Sequence, residues 1–183
     1  IYLVDVGGFN SGYSEHTLSK LVKIAKRNKV KKLLIEENFG QGMFNELLKP
    51  YLIKEYPCTI EPIRQQSNKH RRILDTLEPL MAQHRIIVSP EVIRKDYDET
   101  NAMYPQETAL RYQLFYQISR LQKGVHTLAQ DDRIDALQMS CYYWVQQLAK
   151  DQDLAFQHRK DDKLRMELEK YFGSPSPTSW IKL

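Results

Sequence analysis

The stretch "KKLLIEEN" limits most strongly what this chain can fold into. Its residues Leu33, Leu34 and Ile35 are consecutive and apolar, so a strand formed here is hydrophobic on both faces. Such a strand is typical of the middle of a sheet that helices cover on both sides. With 183 residues, 42% of them hydrophobic, the chain has enough material for one substantial domain of this kind.

Segments of strand length alternate with amphipathic segments of helix length along most of the chain. Further strands are predicted at "IYLVDVGG", "CTIEPIR" and "RIIVSP". Helices are predicted at "SEHTLSKLVKIAKRNKV", "GQGMFNELLKPYLIKEY" with an interruption at Pro50, "HRRILDTLEPLMAQH" and "QETALRYQLFYQISRL". "SPEVIRKDY" indicates a turn or the start of a helix, and residues 96–105 a polar connection. The alternation predicts an α/β fold with a largely parallel central sheet flanked by helices.

The composition excludes several classes of protein. No apolar run reaches the length of a membrane span, and the N-terminus has no signal-peptide pattern. Cys58 and Cys141 lack metal-ligand spacing and indicate a reducing compartment. The net charge of +4 is a mild basic excess, which is compatible with a polyanionic partner but is weak evidence for one.

The last part of the chain is charged and then rich in proline and serine. Residues 151–170 are predicted to form a further helix. Residues 173–183, which include "GSPSPTSW", are predicted to be a flexible tail. This gives one domain over residues 1–172 and a tail after it.

The stretch "AQDDRIDALQMSCYYWVQQL" predicts a buried helix that begins with three acids, Asp131, Asp132 and Asp135. Its apolar stripe consists of Ile134, Leu137, Cys141, Trp144, Val145 and Leu148. Helix capping explains one aspartate well, but side chains three or four positions apart share neighbouring surface, where like charges repel. A hard divalent cation relieves such repulsion, so the helix start is a candidate metal site.

Glu36 and Glu37 end the strand "KKLLIEEN" and precede the glycine-bearing segment "NFGQG". Functional groups in open α/β sheets gather beyond the carboxyl ends of strands. Strand alternation places the two glutamates on opposite faces, so only one of them can face a shared site. Solvated charges at a strand end are the alternative. A strand-end glutamate together with the helix-start aspartates predicts a two-metal site for phosphodiester hydrolysis.

The segment "IRQQSNKHRRILDTLEP" carries four cations, Arg64, Lys69, Arg71 and Arg72. Most charge runs of this kind are solvated surface. Beside a carboxylate site, however, they would position a phosphate backbone without reading its sequence. We therefore predict that these four residues contact DNA.

Five segments, "LVDVGG", "IEENFGQGMF", "RRILDTLEPLMAQHRIIV", "LFYQISRL" and "DDRIDAL", occur here in a familiar order and spacing. Together they resemble the C-terminal nuclease domain of the terminase large subunit of short-tailed bacteriophages. The resemblance runs from Ile1 to about Trp144. It implies an RNase H-like (RuvC-like) fold, in which helices flank a mixed central sheet. It also implies a metal-dependent endonuclease that cuts concatemeric double-stranded DNA during packaging in the host cell cytoplasm, with the small terminase subunit and the portal or procapsid as partners.

In that family an acidic set binds two Mg²⁺ or Mn²⁺ ions. The resemblance assigns catalytic and metal-binding roles to Glu36 and to the aspartates, with Asp132 preferred, then Asp135, then Asp131. The helical wheel favours Asp131 and Asp135 instead, so all three stay candidates.

The chain departs from the family at two places. Gln130 stands where relatives usually carry a histidine; it can form hydrogen bonds but cannot shuttle a proton near neutral pH. The family's first metal-binding aspartate lies on an earlier strand, so the resemblance implies that the first strands, this acid and an ATPase motor precede Ile1. Asp5 is then expected to be structural or supporting, and Glu37 and Gln130 are uncertain supporting residues.

Two other functions remain open. One is a catalytically incomplete packaging module that binds DNA or the portal and procapsid, with the residues from Asp151 onward available for docking. The other is a different RNase H-like nuclease, such as a junction resolvase or a transposase.

Overall fold

A computed structural model describes residues 1–37, 41–65, 68–122 and 128–172. The chain divides into two compact units, of which the first is Ile1–Cys141 and the second begins at Tyr142. The tail predicted at residues 173–183 lies outside the described residues. A single domain over residues 1–172 stays a prediction.

The elements follow the predicted alternation. The strands are β1 (Tyr2–Leu3), β2 (Lys32–Glu36), β3 (Thr59–Ile63) and β4 (Ile87–Val88). The helices are α1 (Glu15–Arg27), α2 (Gln41–Glu55), α3 (Lys69–Ala82), α4 (Pro90–Met103), α5 (Gln106–Ala109), α6 (Leu114–Ser119) and α7 (Asp132–Phe172). A single 3₁₀ turn, Leu110–Tyr112, lies between α5 and α6.

The strands pair in two separate places. β2 lies parallel to β3, with Lys32 opposite Thr59 and Glu36 opposite Ile63. β1 lies parallel to β4. Within the described ranges the chain therefore has two two-stranded parallel sheets, where the sequence predicted one central sheet. With one neighbouring strand instead of two, β2 is half-buried at all five residues.

Helices α1 and α2 cover the sheet formed by β2 and β3. Ser14 caps α1 as the sequence indicates, because its hydroxyl accepts the backbone N–H of Thr17 at 3.2 Å. The predicted interruption of α2 at Pro50 is wrong, since the helix continues to Glu55. Burial of Leu48 and Leu52 on either side of the proline offsets the one backbone hydrogen bond that proline removes.

The segment after β4 is more helical than its polar composition suggests. Residues 96–103, predicted as a connection, belong to α4, which begins at Pro90. Conversely, the single helix predicted over "QETALRYQLFYQISRL" is divided at Gln113, whose backbone is extended. The two segments are in contact, because the carboxylate of Asp96 in α4 accepts the Phe115 N–H in the first turn of α6, at 3.2 Å.

Helix α7 is one helix of 41 residues where two were predicted. The residues between the two predicted helices, Ala149 and Lys150, are neither glycine nor proline, so nothing in the backbone ends the helix there. The predicted apolar stripe is buried only as far as Cys141; Trp144, Val145 and Leu148 are exposed. Among the described helices, none has a stretch long and apolar enough to cross a membrane.

Two apolar clusters hold the first unit together. One joins α1 and α2 to their sheet through Leu18, Val22, Leu48 and Leu52. The other joins α3, α6 and α7 through Ile73, Leu77, Leu80, Leu114, Ile134, Leu137 and Cys141. The second cluster brings the beginnings of α3 and α7 into contact, and the candidate site lies there.

Candidate active site

The three predicted aspartates meet at the start of α7, but their side chains differ in exposure. The Asp135 side chain is 5% exposed and that of Asp131 is 21% exposed, whereas that of Asp132 is 84% exposed. The Asp135 N–H donates to the Asp131 carbonyl oxygen at 3.0 Å, which fixes the first helical turn. Asp131 and Asp135 therefore point inward, as the helical wheel predicts, and Asp132 lies at the open side.

The ammonium group of Lys69, the first residue of α3, lies among these carboxylates. Lys69 Nζ is 2.7 Å from Asp131 Oδ1, 3.3 Å from Asp135 Oδ2 and 3.8 Å from Asp132 Oδ1. Burial opposes the charge on Lys69, but its hydrogen bond to Asp131 and the nearby charge of Asp135 raise its pKa above the usual value. Lys69 is therefore a charged counter-ion of the acidic cluster.

Arg72, one turn later in α3, binds the other oxygen of Asp135. Its Nη2 donates to Asp135 Oδ1 at 2.8 Å, and its Nε donates to Gln138 Oε1 at 3.2 Å. Gln138 in turn donates to the Thr76 hydroxyl at 3.0 Å. Because these groups are part-buried and hydrogen-bonded on several sides, the Asp135 carboxylate has a fixed position.

The predicted DNA-binding cations thus fall into two pairs. Lys69 and Arg72 direct their charges at the aspartates. Arg71 and Arg64 are largely exposed: Arg71 lies 3.5 Å from Asp75 one turn along the helix, and Arg64 donates to Glu37 at 2.9 Å. DNA contact by any of the four stays a prediction, but only the second pair presents guanidinium groups to solvent.

Glu36 is the last residue of β2, at the carboxyl end of the sheet, as predicted. The next residue, Glu37, donates its N–H to the Ile63 carbonyl oxygen at 2.7 Å. Of the "NFGQG" segment after the glutamates, Asn38 and Gly40 lie outside the described residues, and Gly42 lies in α2. The structure brings the three aspartates together with Lys69 and Arg72.

The donor chemistry of this cluster fits a hard divalent cation, whereas its present arrangement fits an ammonium group. Carboxylate oxygens of Asp131 and Asp135 converge on one point, and Lys69 Nζ lies at that point. Across the described residues, no group of three or more His, Cys, Asp or Glu side chains is arranged to hold a metal ion. A metal in this cluster would be held by Asp131 and Asp135, with the exposed Asp132 beside them.

A buried ion pair that the sequence analysis missed fixes the same turn of α7 from another side. Arg133 pairs with Asp96 of α4, and both side chains are almost completely buried. Burial raises the pKa of Asp96, although the Phe115 N–H and the Arg133 guanidinium oppose this. Gly8 leaves room for this pair, since a Cβ at Gly8 would lie 3.2 Å from the Arg133 guanidinium. The only sequence signal was a cation between the acids in "DDRID".

Two glutamines complete the surroundings of the helix start. The buried Gln117 accepts the Ile134 N–H at 3.0 Å through its side-chain oxygen, and so caps an otherwise unpaired donor of the first turn. Gln130, directly before the aspartates, is half-buried. Glutamines inside an amphipathic pattern give no distinctive sequence signal, and the capping role of Gln117 was not predicted.

Comparison with known proteins shows which family this chain belongs to, that of the phage terminase large subunit. A family model described as "Terminase Bacteriophage T7, Ribonuclease H-like domain" matches residues 1–86. A terminase large subunit of Enterobacteria phage T3 is 42% identical over 139 residues, which are 76% of this chain and 24% of that protein. The predicted resemblance to the terminase nuclease domain is confirmed.

The two matches differ in what they cover. The terminase family model ends at residue 86, so it includes Glu36 and the basic residues of α3 and stops before the aspartates of α7. The chain spans about a quarter of the length of the phage T3 terminase large subunit. The match to an RNase H-like domain therefore covers residues 1–86.

Asp5, in the "VDVGG" segment, is an ion-paired carboxylate, and a supporting role for it at the site stays a prediction. Its carboxylate accepts hydrogen bonds from Arg27 at 2.5 Å, from Asn28 at 2.9 Å and from Lys95. Burial alone would raise the pKa of Asp5, but these three donors hold it below the usual value for aspartate. Asp5 thus ties the end of β1 to α1 and α4.

The effect of replacing Asp5 should depend on pH. The pKa of Asp5 is lower in the folded chain than in the unfolded chain. The stabilisation that its ionised carboxylate provides is therefore present above the pKa of Asp5 in the unfolded chain, and it is lost as the pH falls through the folded-state pKa. We expect Asp5→Asn to lower the free energy of unfolding by about 1–2 kcal/mol at pH 7. The difference should shrink below about pH 4.

Urea unfolding of both proteins between pH 3 and pH 7 measures this difference. Asp75→Asn, at an exposed aspartate of α3, is the control and should change stability by less than about 0.5 kcal/mol. An equal loss at every pH would contradict the ion-pair account of Asp5.

Proposed function

We propose that this chain is the nuclease domain of a DNA-packaging terminase large subunit and that it cuts double-stranded DNA by metal-dependent hydrolysis. One observation carries the proposal: in a terminase-like chain, inward-facing carboxylates at the start of α7 converge on a single cation position. Helix capping needs only one acidic side chain, which accepts backbone N–H groups of the first turn. Here the surrounding helices hold two of the acids in place at the edge of the core.

The proposed role of each acid follows from its position in the structure. Asp131 and Asp135 would hold a divalent ion, and Asp132 would reach the same ion from the open side. Glu36, at the carboxyl end of β2, is proposed as the further ligand of a two-ion site, with Mg²⁺ or Mn²⁺ as the ions. When bound, such ions activate a water molecule and stabilise charge on the phosphate oxygens.

The protein's own groups prepare this site. Arg72 and Gln138 orient Asp135, and Arg133 with Asp96 fixes the turn that carries Asp132. This pre-organisation matters because hydrolysis is sensitive to small displacements of the ligands. Gln130 can hydrogen-bond a water or a phosphate oxygen but is not a proton carrier near neutral pH.

The exposed guanidinium groups of Arg71 and Arg64 are proposed to contact the DNA backbone. Both side chains are more than three-quarters exposed, and in the described chain Arg71 pairs with the exposed Asp75 and Arg64 with the half-buried Glu37. Surface pairs of this kind are weak, so a phosphate can replace the carboxylate. By the family resemblance, the wider partners are the small terminase subunit and the portal or procapsid, in the host cytoplasm.

A catalytically incomplete packaging module is the second candidate function. Among the described residues no ready metal-binding group is present, and Lys69 lies where an ion would be held, which favours this alternative. The second unit adds exposed apolar side chains that could dock a partner, including Trp144, Leu148, Leu154 and Phe156. DNA cleavage distinguishes the two functions.

We predict that Asp132→Asn abolishes metal-dependent cleavage, with a loss of at least about 100-fold. Asp132 is the best residue for this test because its exposed side chain can be changed without disturbing the core. Nicking and linearisation of supercoiled plasmid with Mn²⁺ should be followed for this chain and, side by side, for the polypeptide encoded by the whole gene. Asp162→Asn is the matched control, because Asp162 is an exposed aspartate of the second unit.

The outcomes separate the proposals. Cleavage by Asp132→Asn at the normal rate would refute the site assignment. If neither this chain nor the polypeptide encoded by the whole gene cleaves DNA, the catalytically incomplete packaging module is favoured instead.

A second prediction concerns DNA binding. Arg71→Glu should weaken binding to duplexes of any sequence and reduce the slope of log K against log salt by about one, because one phosphate contact no longer releases counterions. Fluorescence anisotropy over a range of salt concentrations measures both quantities. Arg165→Glu is the control, since Arg165 is similarly exposed and also lies one turn from an aspartate, Asp162. A slope that is equally affected by both substitutions, or by neither, would remove Arg71 from the interface.

A further inference from the structure

Lys69 is the residue whose position the proposed function does not explain. Its Nζ lies between 2.7 Å and 3.8 Å from carboxylate oxygens of all three aspartates. The residue opens α3, and Asn68 before it caps the helix by accepting the Arg71 N–H. The lysine side chain therefore extends from a fixed helix start into the acidic cluster.

The two cations of the cluster differ in how firmly they are held. The Arg72 side chain is 15% exposed and donates to both Asp135 and Gln138. Lys69 is 35% exposed and is attached through a flexible four-carbon stem. A part-exposed ammonium on such a stem can move into water while its backbone stays in place. Of these two cations, Lys69 is therefore the one whose charged group can move out of the aspartate cluster.

Formal charge shows what its departure would do. The three carboxylates carry a formal charge of −3 and the two cations add +2, so the cluster has a net charge of −1. Without the Lys69 ammonium its net charge is −2. The −2 cluster matches one divalent cation, whereas the ammonium and the ion cannot share a position 2.7 Å from the same oxygen.

We propose that Lys69 is a positioning residue that occupies the cation position of the aspartates, and that a divalent ion binds there only by displacing its ammonium group. This inference rests on the proposed metal-dependent function and assigns a regulation to the same site. Without metal, Lys69 screens the repulsion between the acids and keeps the start of α7 folded. With metal, the ion takes over that role, so Lys69 sets the ion concentration at which the site is filled.

The test measures metal affinity and stability together, without any activity assay. Lys69→Met and Lys69→Gln should bind Mn²⁺ about tenfold more tightly than the parent chain in calorimetry, since no ammonium has to be displaced. Their metal-free melting temperatures should be lower, and Mn²⁺ should raise them more than it raises that of the parent chain. Lys69→Arg, which keeps the charge, should show no gain in affinity.

Lys49→Met is the matched control, because it removes an exposed lysine that pairs with Glu46 away from the cluster. It should leave Mn²⁺ affinity unchanged. If Lys69 had only a structural role, Lys69→Met and Lys69→Gln would lower the Mn²⁺ affinity as well as the melting temperature.

Three results would overturn the inference. If the parent chain binds Mn²⁺ and Lys69→Met and Lys69→Gln bind it equally well or more weakly, displacement is wrong while the proposed function stands. If neither the parent chain nor the variants bind Mn²⁺, the inference and the metal-dependent function fail together. If both variants are unfolded and Mn²⁺ does not restore them, the ion does not replace the lysine.

Discussion

The candidate site depends on the attraction between opposite charges in the first turns of α3 and α7. Three aspartates at one helix start repel one another, and the almost fully buried Asp135 requires a cation beside it. Lys69 and Arg72 supply that charge from α3. Burial of Leu77 and Ile134 brings the two helices together, and the ion pairs then fix how their first turns face each other.

The same turn of α7 is held from its other side by α4 and α6. The buried pair of Arg133 and Asp96 anchors the residue between Asp132 and Ile134, and Gln117 caps the Ile134 N–H. The Arg133–Asp96 pair and the Lys69–Arg72 side therefore hold the same helix start from two directions. The result is a helix start that ion pairs hold on two sides, with one exposed carboxylate, Asp132.

Local patterns predicted much of the fold, and contacts between distant residues decided the rest. The strand β2 and the helices α1 and α3 were predictable because each has an apolar period and, in the helices, a cap. The clustering of aspartates in α7 was visible too. Their counter-ions were not, because Lys69 is 62 positions before Asp131, and a basic segment alone suggests solvent or DNA. Likewise, the polar residues of α4 indicated a loop because nothing in the sequence showed that Asp96 pairs with Arg133.

The central claim is that the aspartates at the start of α7 form a cation position that Lys69 and a divalent ion occupy alternately. A crystal of the chain grown with Mn²⁺ and measured at a wavelength where manganese scatters anomalously tests it most directly. The account predicts an anomalous peak within about 2.0–2.6 Å of Asp131 and Asp135 oxygens, with the Lys69 ammonium moved away from both. A peak elsewhere, with Lys69 still bonded to Asp131, would contradict it.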